Sequence, residues 1–269
     1  MQRAGQIVAS TVGLALSSHL MAHAYPTSAP LWGPSGLGHI PTTDTVPARS
    51  GEVGLGYERI KPDFGGRVHF FPVASGTLGF KRGEVGIGYL RERLSAPGFS
   101  ASSNFWNVHA KYRAWEHPRS GGAVAVGLHH IDLGKAGGHV DNIYITGSVP
   151  VVRGKGNSIS SIGTNGTQGE SIIPGTGQVR IHLGLLHQRV SNGGNNNETR
   201  PMLGLAWRAT PEVTVAADFV PKKDNLQRLI SAVARYEAPR GWGAQVGIAR
   251  LQDDNKIFAS VVYRFGTRR

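Results

Sequence analysis

The chain has 269 residues, of which 38 are glycine, about twice the average usage, and none is cysteine. Its 29 Lys and Arg against 17 acids give a formal charge of +12. Glycine at this level without a G-X-Y period excludes collagen, and the apolar residues between the glycines exclude a simple disordered tract. A secreted chain without disulfides needs another means of support, and a closed ladder of backbone hydrogen bonds is one.

The N-terminus reads as an export signal. Arg3 is the only charge before Asp44, residues 7–16 are modestly apolar, and Ala22-His23-Ala24 fits the small-x-small cleavage pattern. Residues 1–24 are therefore expected to be a signal peptide, with Tyr25 opening the mature chain. The leader carries one base and no acid, so the remainder stays strongly basic. Such a charge favours an anionic partner: lipopolysaccharide, anionic solutes or nucleic acid. No apolar run elsewhere approaches the ~20 residues of a transmembrane helix, which excludes a helical membrane protein.

Residues 25–50 read as an irregular N-terminal segment, and 51–269 as a single β-barrel domain. Past residue 50 the texture is uniform. Val53, Leu55 and Tyr57 alternate with Gly54, Gly56 and Glu58. Trp106, Val108, Ala110 and Tyr112 alternate with Asn107, His109, Lys111 and Arg113. Val179, Ile181, Leu183 and Leu185 follow, and Ile257 to Phe265 closes the chain in the same period of two. That period is the strand signature, because successive side chains point to opposite faces. Strands are expected at 51–60, 67–81, 83–94, 104–114, 122–132, 141–152, 177–190, 202–210, 212–220, 226–237, 242–252 and 256–265. These make about twelve, each near the ~9–11 residues that a tilted strand needs to cross a bilayer. The fold expected is an all-β, antiparallel transmembrane barrel in a bacterial outer membrane.

The connections test this topology. Turns at residues 81–83, 210–212 and 238–241 are short, as periplasmic turns should be, while 95–103 and 192–199 read as longer external loops. Residues 153–176 are long and Gly/Ser-rich yet fall on the periplasmic side. They hide a further hairpin, making fourteen strands, or fold into the lumen. A repeat, GEVGLGY at 51–57 and GEVGIGY at 83–89, sets glycine on one face against Val, Leu or Ile, and Tyr on the other. In a barrel the larger face meets lipid; in a soluble sandwich it would be the core.

Sites for chemistry are sparse. His130 and Asp132 share a strand face while His129 points away, too few ligands for a metal site. No H-x-S pairing supplies a nucleophile and base on one face. No enzyme activity, metal or cofactor is expected. The basic residues carry more. His109, Lys111 and Arg113 share one face, as do Arg180 and His182, and Arg67 and His69 form a similar pair. These seven are the candidate pore-lining residues of a lumen that favours anions. Alternatively they pair with Glu52, Glu84, Glu92 and Asp218 inside a filled barrel. Bases spread along the chain, without an RNA-binding motif, argue against nucleic acid. Tyr263 and Phe265 are candidates for the C-terminal signal read by the barrel-assembly machinery, although residues 266–269 extend beyond them.

Residues 33–43 (GPSGLGHIPTT), then 76–80 (GTLGF) running into 84–86 (EVG), resemble the opening of YjbH-like outer-membrane barrel proteins. The resemblance covers residues 33–90 and implies an outer-membrane barrel, in some cases linked to exopolysaccharide production, with no catalytic residues to carry over. Three readings stand at this point: a small passive channel, a non-conducting structural or export-accessory barrel for surface polysaccharide, and a secreted soluble β-sandwich binding module. Expected partners are outer-membrane lipid and lipopolysaccharide, the assembly machinery, and small anions or polysaccharide.

Overall fold

The computed structural model describes residues 37, 39–61, 66–117, 120–134, 137–152, 177–191, 195–223, 228–238, 241–251 and 254–266. The expected signal peptide and residues 153–176 lie outside them. Twelve strands follow in chain order: β1 (Ser50–Lys61), β2 (Arg67–Phe80), β3 (Gly83–Ala96), β4 (Phe99–His117), β5 (Gly122–Asp132), β6 (His139–Val152), β7 (Val179–Ser191), β8 (Asn195–Arg208), β9 (Val213–Val220), β10 (Leu229–Glu237), β11 (Trp242–Leu251) and β12 (Asp254–Gly266). Each pairs antiparallel with its sequence neighbour, and β1 pairs with β12 from Ser50↔Gly266 to Lys61↔Asn255, closing the barrel. Because β6 pairs directly with β7, no extra hairpin enters the wall there, and the count is twelve rather than fourteen.

Closure decides which face meets what. Leu183, Trp207 and Val261, which a sandwich would bury between two layers, are exposed on the outside at 58%, 49% and 51%. The sandwich reading is thereby overturned. The outer face carries an aliphatic band that includes Leu55, Ile87, Ile145, Leu203 and Val246. Aromatic side chains flank it. At the rim where β1 begins and β12 ends stand Phe80, Trp115, Trp207, Tyr236, Trp242 and Phe265; toward the far rim stand Tyr57, Phe71, Tyr89 and Trp106. An apolar outer band with outward aromatic side chains at both edges is the exterior of a membrane barrel. The protein is a bacterial outer-membrane β-barrel.

The repeat has a structural reason. Gly51 lies under the ring of Phe265 and Gly83 under that of Phe80, where a Cβ would meet the ring. Glu52 and Glu84 turn inward to Arg264 and Lys111. The inward Gly86 and Gly88 leave room for His109 and Asn107 of β4, whose side chains lie where a Cβ would project. Glycine here lets longer polar side chains from the next strand lie flat on the inner wall.

Two expected loops are strand instead. Residues 99–103 belong to β4, because a tight turn at Gly98 (φ +74°) reverses the chain, and residues 195–199 belong to β8. Polar composition does not stop the backbone from continuing its ladder.

Candidate functional site

The site is the interior, and the chain itself fills it. Toward the far rim the inward Ile60, Phe70, Leu90, Leu94, Phe105, Ile131, Val140, Leu186 and Val190 are each at most 2% exposed and belong to one core cluster, interleaved with the buried polar side chains of Glu58, Glu92, Asn142, Gln188, Arg200 and Lys256. Toward the rim of the termini the inward side chains are polar, and the segment before β1 lies among them.

That segment is fastened to the wall at several strands. The His39 backbone N–H donates to Asp218 Oδ2 at 2.7 Å, and Ser231 donates to Oδ1 of the same carboxylate at 2.5 Å. Thr43 and Ser148 share a hydroxyl contact of 2.5 Å, and Arg113 Nε donates to the Thr43 carbonyl at 3.0 Å. The Val46 N–H donates to Glu84 Oε2 at 2.7 Å. Two glycines in the wall make the space: a Cβ at Gly79 would strike the carbonyls of Val46 and Pro47, and one at Gly204 would strike Leu37 and Ile40.

Asp44 stands at the centre of the basic wall. With Thr43, Arg113, Glu116, Gly121, Ala123 and Arg180 it lines a pocket of about 20 Å³, room for little more than a water molecule. Enclosure by the wall would raise its carboxyl, but Arg180, His182, Arg113 and Lys111 together bring it down to about 2. The side chain still meets water in the mouth, which weakens those fields without reversing them. His39 is buried, edge-on to Phe258 at 5.0 Å, and desolvation followed by the charge of Lys256 drives its imidazole well below the usual range.

The candidate pore residues divide. His109, Lys111, Arg113, Arg180 and His182 point inward. Lys111 is fully buried against Glu84 at 3.3 Å, Arg113 pairs with Glu116 at 3.1 Å, and Arg180 donates to Ser148 Oγ at 2.9 Å and to the Gly121 carbonyl at 3.1 Å. Arg67 and His69 are a correction: they face outward. The register of β2 shifts between Phe70 and Val73, so Val68 and Phe70 point in upstream while Val73 and Thr77 point in downstream. A one-residue bulge inverts parity, and the pattern read from the alternating apolar residues does not carry through it. Tyr263 and Phe265 lie on the outer face of the last strand, Tyr263 stacked 4.7 Å from Trp242. His130 also faces out and pairs with Asp141 of the next strand at 2.6 Å rather than with Asp132.

Sequence reasoning missed the buried pair of Lys256 and Glu58 (2.7 Å), the contact of Arg200 with Gln188 (3.1 Å), and Asp44 itself. The signal for Asp44 was its place as the first acid of the chain, within an otherwise uncharged stretch. Several inward polar atoms, among them both side-chain ends of Asn107 and Asn142, have no protein partner among the described residues. Buried polar groups of this kind are served by water.

No family model and no curated protein matches this sequence. The solved structures similar to it are outer-membrane barrels. A KdgM porin in complex with disordered oligogalacturonate aligns with TM-score 0.53 at 12% identity, over 80% of this chain and 99% of that one. A NanC porin aligns with TM-score 0.50 at 10% identity, over 79% and 98%. At these identities the likeness is one of fold.

Proposed function

We propose that the protein is a gated outer-membrane channel that favours small anions and is held shut by its own residues 39–49. The observation that carries this reading is Asp44, a carboxylate of the inserted segment that sits where Arg113 and Arg180 would otherwise receive a solute anion. A ring of fixed cations selects ions by sign, and an internal carboxylate competes for that position. A porin of like fold is seen in complex with oligogalacturonate, a polyanion, so the architecture accommodates an anionic oligosaccharide.

The test is single-channel recording in planar bilayers. The intact protein should be silent for most of the record. Asp44→Asn, which removes the internal anion, and Gly79→Val, which crowds the Val46–Pro47 backbone, should both give discrete steps with a reversal potential on the anion side. Folded variants that stay silent would contradict the reading.

One observation favours a second reading. The far half of the lumen is blocked by an apolar cluster and the buried Lys256–Glu58 pair, most of it contributed by the strands, so releasing the inserted segment would leave it in place. Under that reading the barrel is a non-conducting structural or export-accessory protein for surface polysaccharide, which the resemblance of residues 33–90 to YjbH-like barrels also supports. Loss of the protein should then alter surface polysaccharide while small-solute uptake is unchanged.

A further inference from the structure

The outer surface carries a feature that the lumen does not explain. At the far rim, the outward positions of β1, β2 and β3 hold Arg59, Arg67, His69, Arg91 and Arg93, and none of the described outward positions on these strands is an acid. Register places Arg59 opposite His69 and His69 opposite Arg93, a row of three basic side chains across adjacent strands. The same rim shows how the protein treats basic residues elsewhere. On β5 and β6, His130 and His139 share the carboxylate of Asp141 at 2.6 and 3.2 Å. Among the described residues, Arg59, Arg67, Arg91 and Arg93 have no such carboxylate.

The row lies just beyond the aromatic residues that end the apolar band there. Tyr89 stacks on Trp106 at 4.8 Å and donates to Asn104 at 3.0 Å, while Tyr57 bonds His69 Nδ1 at 2.8 Å. An aromatic girdle marks headgroup depth, where long basic side chains lay their stems on apolar surface and lift their charges. An even strand count returns both ends of the barrel to the periplasmic side, so this rim lies in the outer leaflet. The anions at that depth are the phosphates of the outer-leaflet glycolipid. Guanidinium groups match phosphate with paired N–H donors, and Ser102, opposite Arg93, and Asn104, opposite Arg91, add hydrogen-bonding capacity for sugar.

We propose that the outward basic row of β1–β3 binds the phosphate groups of lipopolysaccharide and fixes one glycolipid molecule against this side of the barrel. The proposal is independent of whether the lumen conducts.

The experiment is native mass spectrometry of the folded, detergent-solubilised barrel titrated with diphosphoryl lipid A, monophosphoryl lipid A or phosphatidylglycerol. The wild-type protein should retain one diphosphoryl lipid A in preference to the other two. The combined Arg59→Gln, Arg91→Gln and Arg93→Gln variant, its fold checked by heat-modifiable gel mobility, should bind about tenfold more weakly or worse. Arg93→Gln alone, with a loss of about threefold, serves if the combined variant does not fold. Unchanged binding in a folded variant, or equal retention of phosphatidylglycerol by the wild type, would overturn the proposal.

Discussion

Lys111 and Glu84 are buried together in the interior, and each has a second role there. Lys111 adds to the field on Asp44, and Glu84 also accepts the N–H of Val46. Removing one member of such a pair leaves the other charge without compensation, a loss of about 3–5 kcal/mol. Lys111→Met should lower the unfolding free energy by about that amount in urea titrations of the liposome-inserted protein, and adding Glu84→Gln should restore part of it. Alternation along β4 had already set Lys111 on the inner face. Glu84 was one of four acids that could pair with it, and which of them does so was not legible, because the period of a strand fixes a face and not the register of the neighbour.

The inserted segment should respond to pH through two groups. His39 has a depressed pKa when docked, so its contribution is present above about 6.5 and is lost as pH falls below that value. Asp44 is likewise depressed, and its contribution is lost between about 4 and 2. The amides of His39 and Val46 should therefore show less hydrogen-exchange protection at pH 5 than at pH 7, after correction for intrinsic rates, and less again at pH 3. Protection that does not change across this range would count against a segment held by these groups.

Among the elements, β2 is the informative one. Its bulge lets Val68 and Phe70 join the far-rim core while Thr77 serves the polar end, both on the inner face. Deleting Pro72 should restore simple alternation, turning Arg67 and His69 into the core and its apolar residues outward. Such a chain should yield no heat-modifiable folded band, whereas deletion of a residue from the exposed turn at Lys81–Arg82 should be tolerated. The strands themselves were largely legible from period two, and β5 matches its expected bounds at Gly122–Asp132. What period two could not show was where parity breaks. Both the β2 bulge and that between Arg113 and Trp115 on β4 lie within continuous apolar–polar texture.

At the scale of the whole molecule, closure turns a two-faced ribbon into an inside and an outside with different chemistry. The expected basic lumen was half legible. Five of the seven candidate residues point inward, but each stretch of sequence shows only its own charge. Glu116 lies three residues from Arg113 on the same strand, but Glu84 arrives from β3 and Asp44 from the segment before β1. The far-half core was not legible at all, because an inward Leu at one strand end and an outward Leu at mid-strand look alike without the register.

The absence of native cysteine allows single cysteines to report on each face. Leu183→Cys and Val261→Cys on the outer face, and Asp44→Cys and Arg264→Cys on the inner side at the polar rim, can each be labelled with a fluorophore in the folded, liposome-reconstituted protein. A quencher carried on the lipid acyl chains should quench the two outer labels strongly and leave the two inner labels nearly unaffected. Quenching of the inner labels, or outer labels reached only by a water-soluble quencher, would contradict a barrel whose apolar face meets hydrocarbon.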